Sequence, residues 1–132
     1  MISVFGHTSA FTLISSALKL KNIFGKWNWI ESYQKIGGFN TPATAGYSRY
    51  RTYSPKGVFE EYQNKKRQQK LKYHFSTSNG SFTNSIFTLV YEHRTFHLSE
   101  SHSTESIMFK GLDTLVLYYD CDTCGYDMYV KQ

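Results

Sequence analysis

Cys121 and Cys124, separated by two residues, form the pattern in this chain that comes closest to reactive chemistry. A C-x-x-C pair can bind zinc, but a structural zinc site needs four ligands and no second C-x-x-C is present. None of the five histidines, His7, His74, His93, His97 and His102, has the spacing of a zinc finger. Redox C-x-x-C motifs open a helix within a βαβ unit, which this sequence does not predict. We expect a turn whose thiols can pair under oxidation, with no metal and no cofactor.

Catalytic groups do not occur in the arrangements that enzymes use. Glu60 and Glu61 are adjacent, so on a strand they point to opposite faces and cannot act together on one bond. The sequence contains no G-x-S-x-G elbow, no H-E-x-x-H motif and no glycine-rich phosphate loop. The sequence therefore predicts a protein that is not an enzyme.

The positive charge of the chain is concentrated in one place. Fifteen Lys and Arg stand against ten Asp and Glu, for a formal net charge of +5. Five of these bases lie in residues 65–72, where there is no acidic residue, so the rest of the chain is balanced. Such a run favours a solvated hairpin, although it is also typical of surfaces that meet nucleic acid or anionic membranes.

The elements that must position these groups are β-strands. The chain of 132 residues has the length of one domain, and its eleven Tyr and ten Phe favour sheet over helix. Turn signals at regular intervals predict an all-β domain with eight antiparallel strands in an up-and-down barrel. The predicted strands are 26–33, 47–54, 58–63, about 67–76, 84–91, 103–109, 113–119 and 126–131, with room for an added short strand at Thr95–Leu98.

The N-terminal segment, residues 1–21, differs from the rest. An apolar patch from Phe11 to Leu18 precedes Lys19, but no base comes before the patch and no small-x-small cleavage site follows it. Two interpretations stay open, a degenerate export signal and a short helix across one end of the barrel. The barrel domain is predicted to span 22–132. No stretch approaches the ~18 apolar residues of a transmembrane segment.

The second predicted strand carries alternating aromatic and basic side chains. Tyr47, Arg49, Arg51 and Tyr53 share one face of it. The pattern does not decide which face is the inner one. Inward arginines would give a barrel interior a polar anchor, whereas outward arginines beside residues 65–72 would favour a polyanion.

The first strand begins with Gly25-Lys26-Trp27, a glycine two residues before a tryptophan. At the mouth of an antiparallel barrel, such a glycine lets backbones approach closely while the large ring plugs one end. The stretch that contains it resembles small lipocalin-like (calycin-type) proteins of Bacteroidetes-type bacteria over residues 22–132. The resemblance is carried by Gly25 to Tyr33, Gly37-Gly38, Thr41-Pro42-Ala43-Thr44, Gly46-Tyr47-Ser48-Arg49 and Tyr126-Asp127-Met128-Tyr129-Val130-Lys131.

The resemblance implies a structural role for three residues and a ligand inside the barrel. Gly25 and Trp27 would form the closed end, with Lys131 as the nearest candidate for the cation beside the ring. It also implies an extracytoplasmic location. An eight-stranded barrel can be filled by side chains or can hold one small ligand. The candidate ligand-binding residues, each of which could equally fill the core, are Trp29, Tyr47, Arg49, Phe59, Phe87, Leu89, Met108, Leu117, Tyr119 and Met128.

The sequence thus predicts a lipocalin-like binding protein for a small apolar or amphipathic molecule. A first alternative is a non-catalytic module that binds single-stranded nucleic acid or an anionic surface through Arg49, Arg51 and the basic run 65–72. Base-stacking OB-folds have five strands rather than eight, so nucleic acid is the less favoured partner. A second alternative is a protein-interaction module whose barrel is filled by side chains.

Overall fold

The structure is a computed structural model that describes residues 20–76, 86–94, 100–119 and 124–132. These residues contain nine β-strands and a one-turn helix, α1. The elements are β1 Gly25–Gln34, β2 Gly38–Asn40, α1 Pro42–Ala45, β3 Arg49–Tyr53, β4 Val58–Gln63, β5 Lys66–Phe75, β6 Ile86–Arg94, β7 Glu100–Lys110, β8 Thr114–Tyr118 and β9 Gly125–Lys131.

The strands form one antiparallel sheet that closes on itself. From β3 to β9 each strand pairs with the next one along the chain, while β1 pairs with both β3 and β9 and so closes an eight-stranded barrel. The short β2 adds to the end of β1 outside the barrel. The predicted all-β barrel is therefore confirmed. The structure differs from the prediction between the first two barrel strands. The sequence predicts a plain loop there, whereas the structure has β2 and α1.

Two tight turns set the register of neighbouring strands. Gly57, with a φ of +85°, completes the turn that begins at Ser54, and its N–H donates to the Ser54 carbonyl oxygen at 3.1 Å. Asn64 and Lys65 have φ values of 50° and 68°, as in the two-residue hairpin turns that match strand twist. The Asn64 side chain also accepts a hydrogen bond from the backbone N–H of Ser48 at 3.0 Å.

One end of the barrel, here named the closed end, is built around Trp27. Trp27 is 0% exposed, and its indole N–H donates to the Ile23 carbonyl oxygen at 2.7 Å. The Lys131 ammonium lies 5.2 Å from the centroid of the Trp27 ring and donates to the carbonyl oxygen of Asn22. Burial lowers the pKa of Lys131. At Gly25, where φ is +122°, a Cβ would lie 3.3 Å from Cε of Lys131, so a glycine suits this position.

The core of the barrel consists mainly of rings and branched side chains. Its most deeply buried members besides Trp27 are Ile23, Tyr53, Leu89, Ile107, Leu115 and Tyr129. Leu20, at the end of the predicted N-terminal segment, packs against this core. Residues 1–19 and the predicted strand at Thr95–Leu98 lie outside the described residues. Within the described part of the chain, no helix is long and apolar enough to cross a membrane.

The closed end yields a first prediction. Trp27→Ala should lower the free energy of unfolding by about 3–5 kcal/mol, because it removes a fully buried indole together with its hydrogen bond. Urea denaturation followed by circular dichroism measures the loss. Trp27→Phe, which keeps a ring but no N–H, should cost less. A Trp27→Ala variant with the unaltered transition midpoint would contradict the plug role.

Candidate ligand-binding site

The middle of the barrel carries a buried cation, Arg51, which β3 points inward. Its Nη2 donates to Glu61 on the neighbouring β4 at 2.8 Å, and its Nη1 donates to Glu105 on β7 at 2.9 Å. Only 6% of the Arg51 side chain is exposed. Its guanidinium carbon lies 5.0 Å from the ring centroid of Phe59 and 4.9 Å from that of Tyr129. Two carboxylates and two aromatic faces thus stabilise one positive charge.

Two phenols extend this arrangement into a hydrogen-bonded ring with a fixed direction. Arg51 Nη1 donates to the Tyr53 hydroxyl at 3.0 Å, and the Tyr53 and Tyr91 hydroxyls are 2.8 Å apart. Tyr91 donates its only hydroxyl proton to Glu105 Oε1 at 2.6 Å, because an ionised carboxylate can only accept. Tyr53 must therefore donate to Tyr91. We refer to Arg51, Glu61, Glu105, Tyr53 and Tyr91 as the Arg51 network.

Burial sets the protonation states within the Arg51 network. It raises the pKa of Tyr53 and the pKa of Tyr91 well above the ordinary value for a phenol. Burial by itself would lower the pKa of Arg51, but the surrounding tyrosine oxygens and Glu105 outweigh it and hold that pKa well above its usual range. At neutral pH the guanidinium is charged and both phenols keep their protons.

A second polar network lies around Asp127 on β9. Ser32 and Tyr119 both donate to Asp127 Oδ1, and Trp29 donates its indole N–H to the Ser32 hydroxyl at 2.7 Å. The Arg49 guanidinium lies 4.3 Å from the centroid of the Trp29 ring and 3.8 Å from Asp127 Oδ1. Ser32, Tyr119 and Arg49 thus all approach the same oxygen of Asp127, Oδ1.

Beside the Arg51 network lies a cavity of about 260 Å³. The cavity adjoins β5, β6 and β7. It lies near the pair Lys72–Glu92, which is the last hydrogen-bonded pair between β5 and β6 among the described residues. Within it, His93 Nε2 and the Ser103 hydroxyl are 2.6 Å apart. The cavity is lined by Arg51, Phe59, Gln69, Leu71, Tyr91, His93, Ser103, Thr104 and Glu105.

The sequence-predicted ligand residues fall into four groups in the structure. Phe59 lines the cavity. Trp29, Arg49 and Tyr119 belong to the network around Asp127, and Tyr47 stacks on Trp29 with 5.7 Å between ring centroids. Phe87, Leu89 and Leu117 are buried in the core. Met108 and Met128 lie on the faces of β7 and β9 opposite to the inward Ile107 and Tyr129, so they do not reach the barrel interior.

Most polar residues that line the cavity are absent from the predicted ligand residues. Strand alternation nevertheless places them on the same inner faces as buried apolar residues. On β4, Glu61 follows Phe59 on the same face, and on β7 Glu105 precedes Ile107. Tyr91 and His93 likewise follow Leu89 on β6. The sequence prediction rests on apolar or anchoring positions and does not include these polar members of the same inner faces.

Cys124, in the predicted cysteine turn, is not among the residues that line this cavity. Cys124 is disulfide-bonded, so it offers no thiolate to a metal ion. Cys121 lies outside the described residues. Over the described ranges, no three His, Cys, Asp or Glu side chains are grouped as metal ligands would be.

No protein-family model matches the chain, and no curated protein or solved structure matches it. The barrel, the Arg51 network and the cavity are therefore the features from which a function has to be inferred.

The Arg51 network yields a second prediction. Arg51→Leu should lower the free energy of unfolding by about 3–5 kcal/mol, because it leaves two carboxylates in the barrel without their cation. Arg49→Leu is the matched control. Its loss should be about 1 kcal/mol, since Arg49 is more exposed and Asp127 keeps its hydroxyl donors. Equal losses in urea denaturation would contradict a special role for Arg51.

The buried phenols yield a third prediction. Because burial raises the pKa of Tyr53, Tyr91 and Tyr129, the unfolded chain releases these protons near pH 10 while the folded chain keeps them. Their stabilising effect is fully present below about pH 10 and is lost as the pH rises above it. The free energy of unfolding should therefore fall above about pH 10. The ultraviolet absorbance of ionised tyrosine should appear in two phases, the second together with loss of the β-sheet circular dichroism signal. A single phase in a protein that stays folded would contradict it.

Proposed function

We propose that this chain is a non-catalytic, lipocalin-like binding protein that holds one small amphipathic molecule inside its barrel. The cavity of about 260 Å³ beside the Arg51 network is the observation that carries this proposal. Ligand sites are typically concave, with apolar walls and a few placed polar groups. The cavity has both, since Phe59 and Leu71 form apolar wall and Glu105 and Ser103 offer hydrogen bonds.

The size of the cavity restricts the ligand. Typical sites for drug-sized ligands measure roughly 300–1,000 Å³. A volume of about 260 Å³ lies just below that range, so the ligand is a small molecule with a single ring or a short chain. Trp27 and the other rings of the closed end occupy the space that a longer apolar ligand would need.

The lipocalin-like assignment is supported by the closed end. Gly25, Trp27 and Lys131 come together there, as the resemblance implies for these three residues. The barrel is also an up-and-down one, with β1 paired to the last strand. This arrangement supports a ligand cup rather than an open sheet that stacks bases.

The Ser103–His93 pair is the one feature of the cavity lining that resembles a catalytic pair. A serine nucleophile needs a base that is itself oriented by a third group, as well as donors for the developing oxyanion. No described carboxylate binds His93, whose only described hydrogen bond is to Ser103. We assign Ser103 and His93 to ligand contact. Hydrolysis of a small phenyl ester that disappears in Ser103→Ala would contradict this assignment.

The alternative function, binding of a polyanion, depends on Arg49, Arg51 and the basic run 65–72, and the positions of both arginines speak against it. Arg49 and Arg51 point into the barrel, where an oligonucleotide cannot stack against them. The basic strand β5 remains exposed from Lys66 to Lys70, and Arg67 there is paired with Glu60 at 3.3 Å. This surface could attract a polyanion only by charge, which added salt would screen.

Binding of small phenyl compounds tests the proposal. Titration calorimetry with phenethyl alcohol, phenethylamine and phenylpropionate should find at least one that binds saturably at one per chain. That compound should raise the melting temperature, because it binds only the folded state. Ser103→Phe should abolish binding by filling the cavity.

Ser106→Phe is the matched control, since Ser106 is exposed on the outer face of the same strand. It should leave binding unchanged. If no compound binds, the side-chain-filled barrel replaces the proposal. Tight oligonucleotide binding that persists in high salt would favour the nucleic-acid module instead.

A further inference from the structure

We propose that the polar group recognised by the cavity is a cation, so that the ligand class is small amphipathic amines that are protonated at neutral pH. This inference rests on the proposed function and names its ligand class. An inward arginine ordinarily indicates an anionic ligand. In this barrel the surroundings of Arg51 reverse that expectation.

The charge of Arg51 is already compensated within the protein. Glu61 and Glu105 both form ion pairs with it, at 2.8 Å and 2.9 Å. Two carboxylates around one guanidinium leave the Arg51 network with one excess negative charge. An anionic ligand would have to compete with both carboxylates, whereas a cationic ligand would bring the network to neutrality.

Glu105 is the carboxylate that can receive such a ligand. It lines the cavity, and 31% of its side chain is exposed. Its Oε1 accepts from Arg51 and Tyr91, but its Oε2 accepts from none of the described residues. Glu61 differs, because Gln69 donates to its Oε1 and Arg51 to its Oε2. Among the described contacts, the unpaired acceptor of the network therefore belongs to Glu105, a residue that lines the cavity.

The walls next to Glu105 also suit a cation. The rings of Phe59 and Tyr91 both line the cavity, and their centroids are 4.7 Å apart. Aromatic faces attract ammonium groups, and the attraction grows when water is excluded. An amine with a phenyl or short alkyl body can place its charge at Glu105 and its body against Phe59 and Leu71.

One observation favours an acceptor on the ligand. Arg51 Nε is buried and has no partner among the described residues. A carboxylate ligand could approach this donor, so an anionic probe belongs in the test. The two carboxylates of the network nevertheless oppose a further carboxylate at this position, so an amine remains the favoured ligand.

Three probes that share a phenethyl body separate charge from shape: phenethylamine, phenethyl alcohol and phenylpropionate. On the unaltered protein, titration calorimetry should give an affinity for the amine at least about tenfold higher than for the alcohol, with the propionate weakest. An alcohol or propionate that binds as tightly as the amine would overturn the inference and leave the proposed function intact. If none of the three binds, the proposed function fails and this inference fails with it.

Two matched variants test whether Glu105 is the residue that binds the ammonium group of the ligand. Glu105→Gln should remove the preference for the amine over the alcohol, leaving the two affinities within about threefold of each other. Glu60→Gln makes the same chemical change on the outer face of β4 and should keep the tenfold preference. A preference that survives in Glu105→Gln would overturn the assignment. Should Glu105→Gln fail to fold, the ranking of the three probes on the unaltered protein still decides.

Discussion

The pairing of Arg51 with two carboxylates across the barrel interior is the interaction on which the rest of the site depends. A buried guanidinium costs several kcal/mol unless partners satisfy it. Its partners come from β4 and β7, so a single charge links three strands through the interior. The phenols of Tyr53 and Tyr91 then have defined donors and acceptors. The interior of this barrel is therefore not a purely apolar core. The cavity has polar walls because Arg51, Tyr91 and Glu105 line it.

Much of the fold could be predicted, because local chemistry encodes it. Ser54-Pro55-Lys56-Gly57 and Asn64 are residue types that turns favour, and the structure has a turn at each. The inner face of β3 could not be predicted, since both of its faces carry aromatic side chains. On β9 the two faces are also similar, with Met128 on one and Tyr129 on the other.

Two features of the site have no local signal in the sequence. The pairing of β1 with β9 shifts between Trp29 and Glu31, so that Ser32 rather than Glu31 is buried and reaches Asp127. Such a bulge reverses the faces beyond it and is invisible to a count of alternating residues. The contact between Arg51 and Glu105 joins strands that are distant in sequence and that do not pair with each other.

Closure of the barrel also determines when the protein can become native. The seam between β1 and β9 joins the start of the barrel to the last strand of the chain, and contacts of such separation form slowly. A ribosome-bound chain that lacks β9 has no partner for that edge of β1. The two tryptophans of the sequence, Trp27 and Trp29, both lie on this seam opposite Lys131 and Tyr129. Intrinsic tryptophan fluorescence in this protein should therefore respond to closure of the barrel as well as to burial of the core.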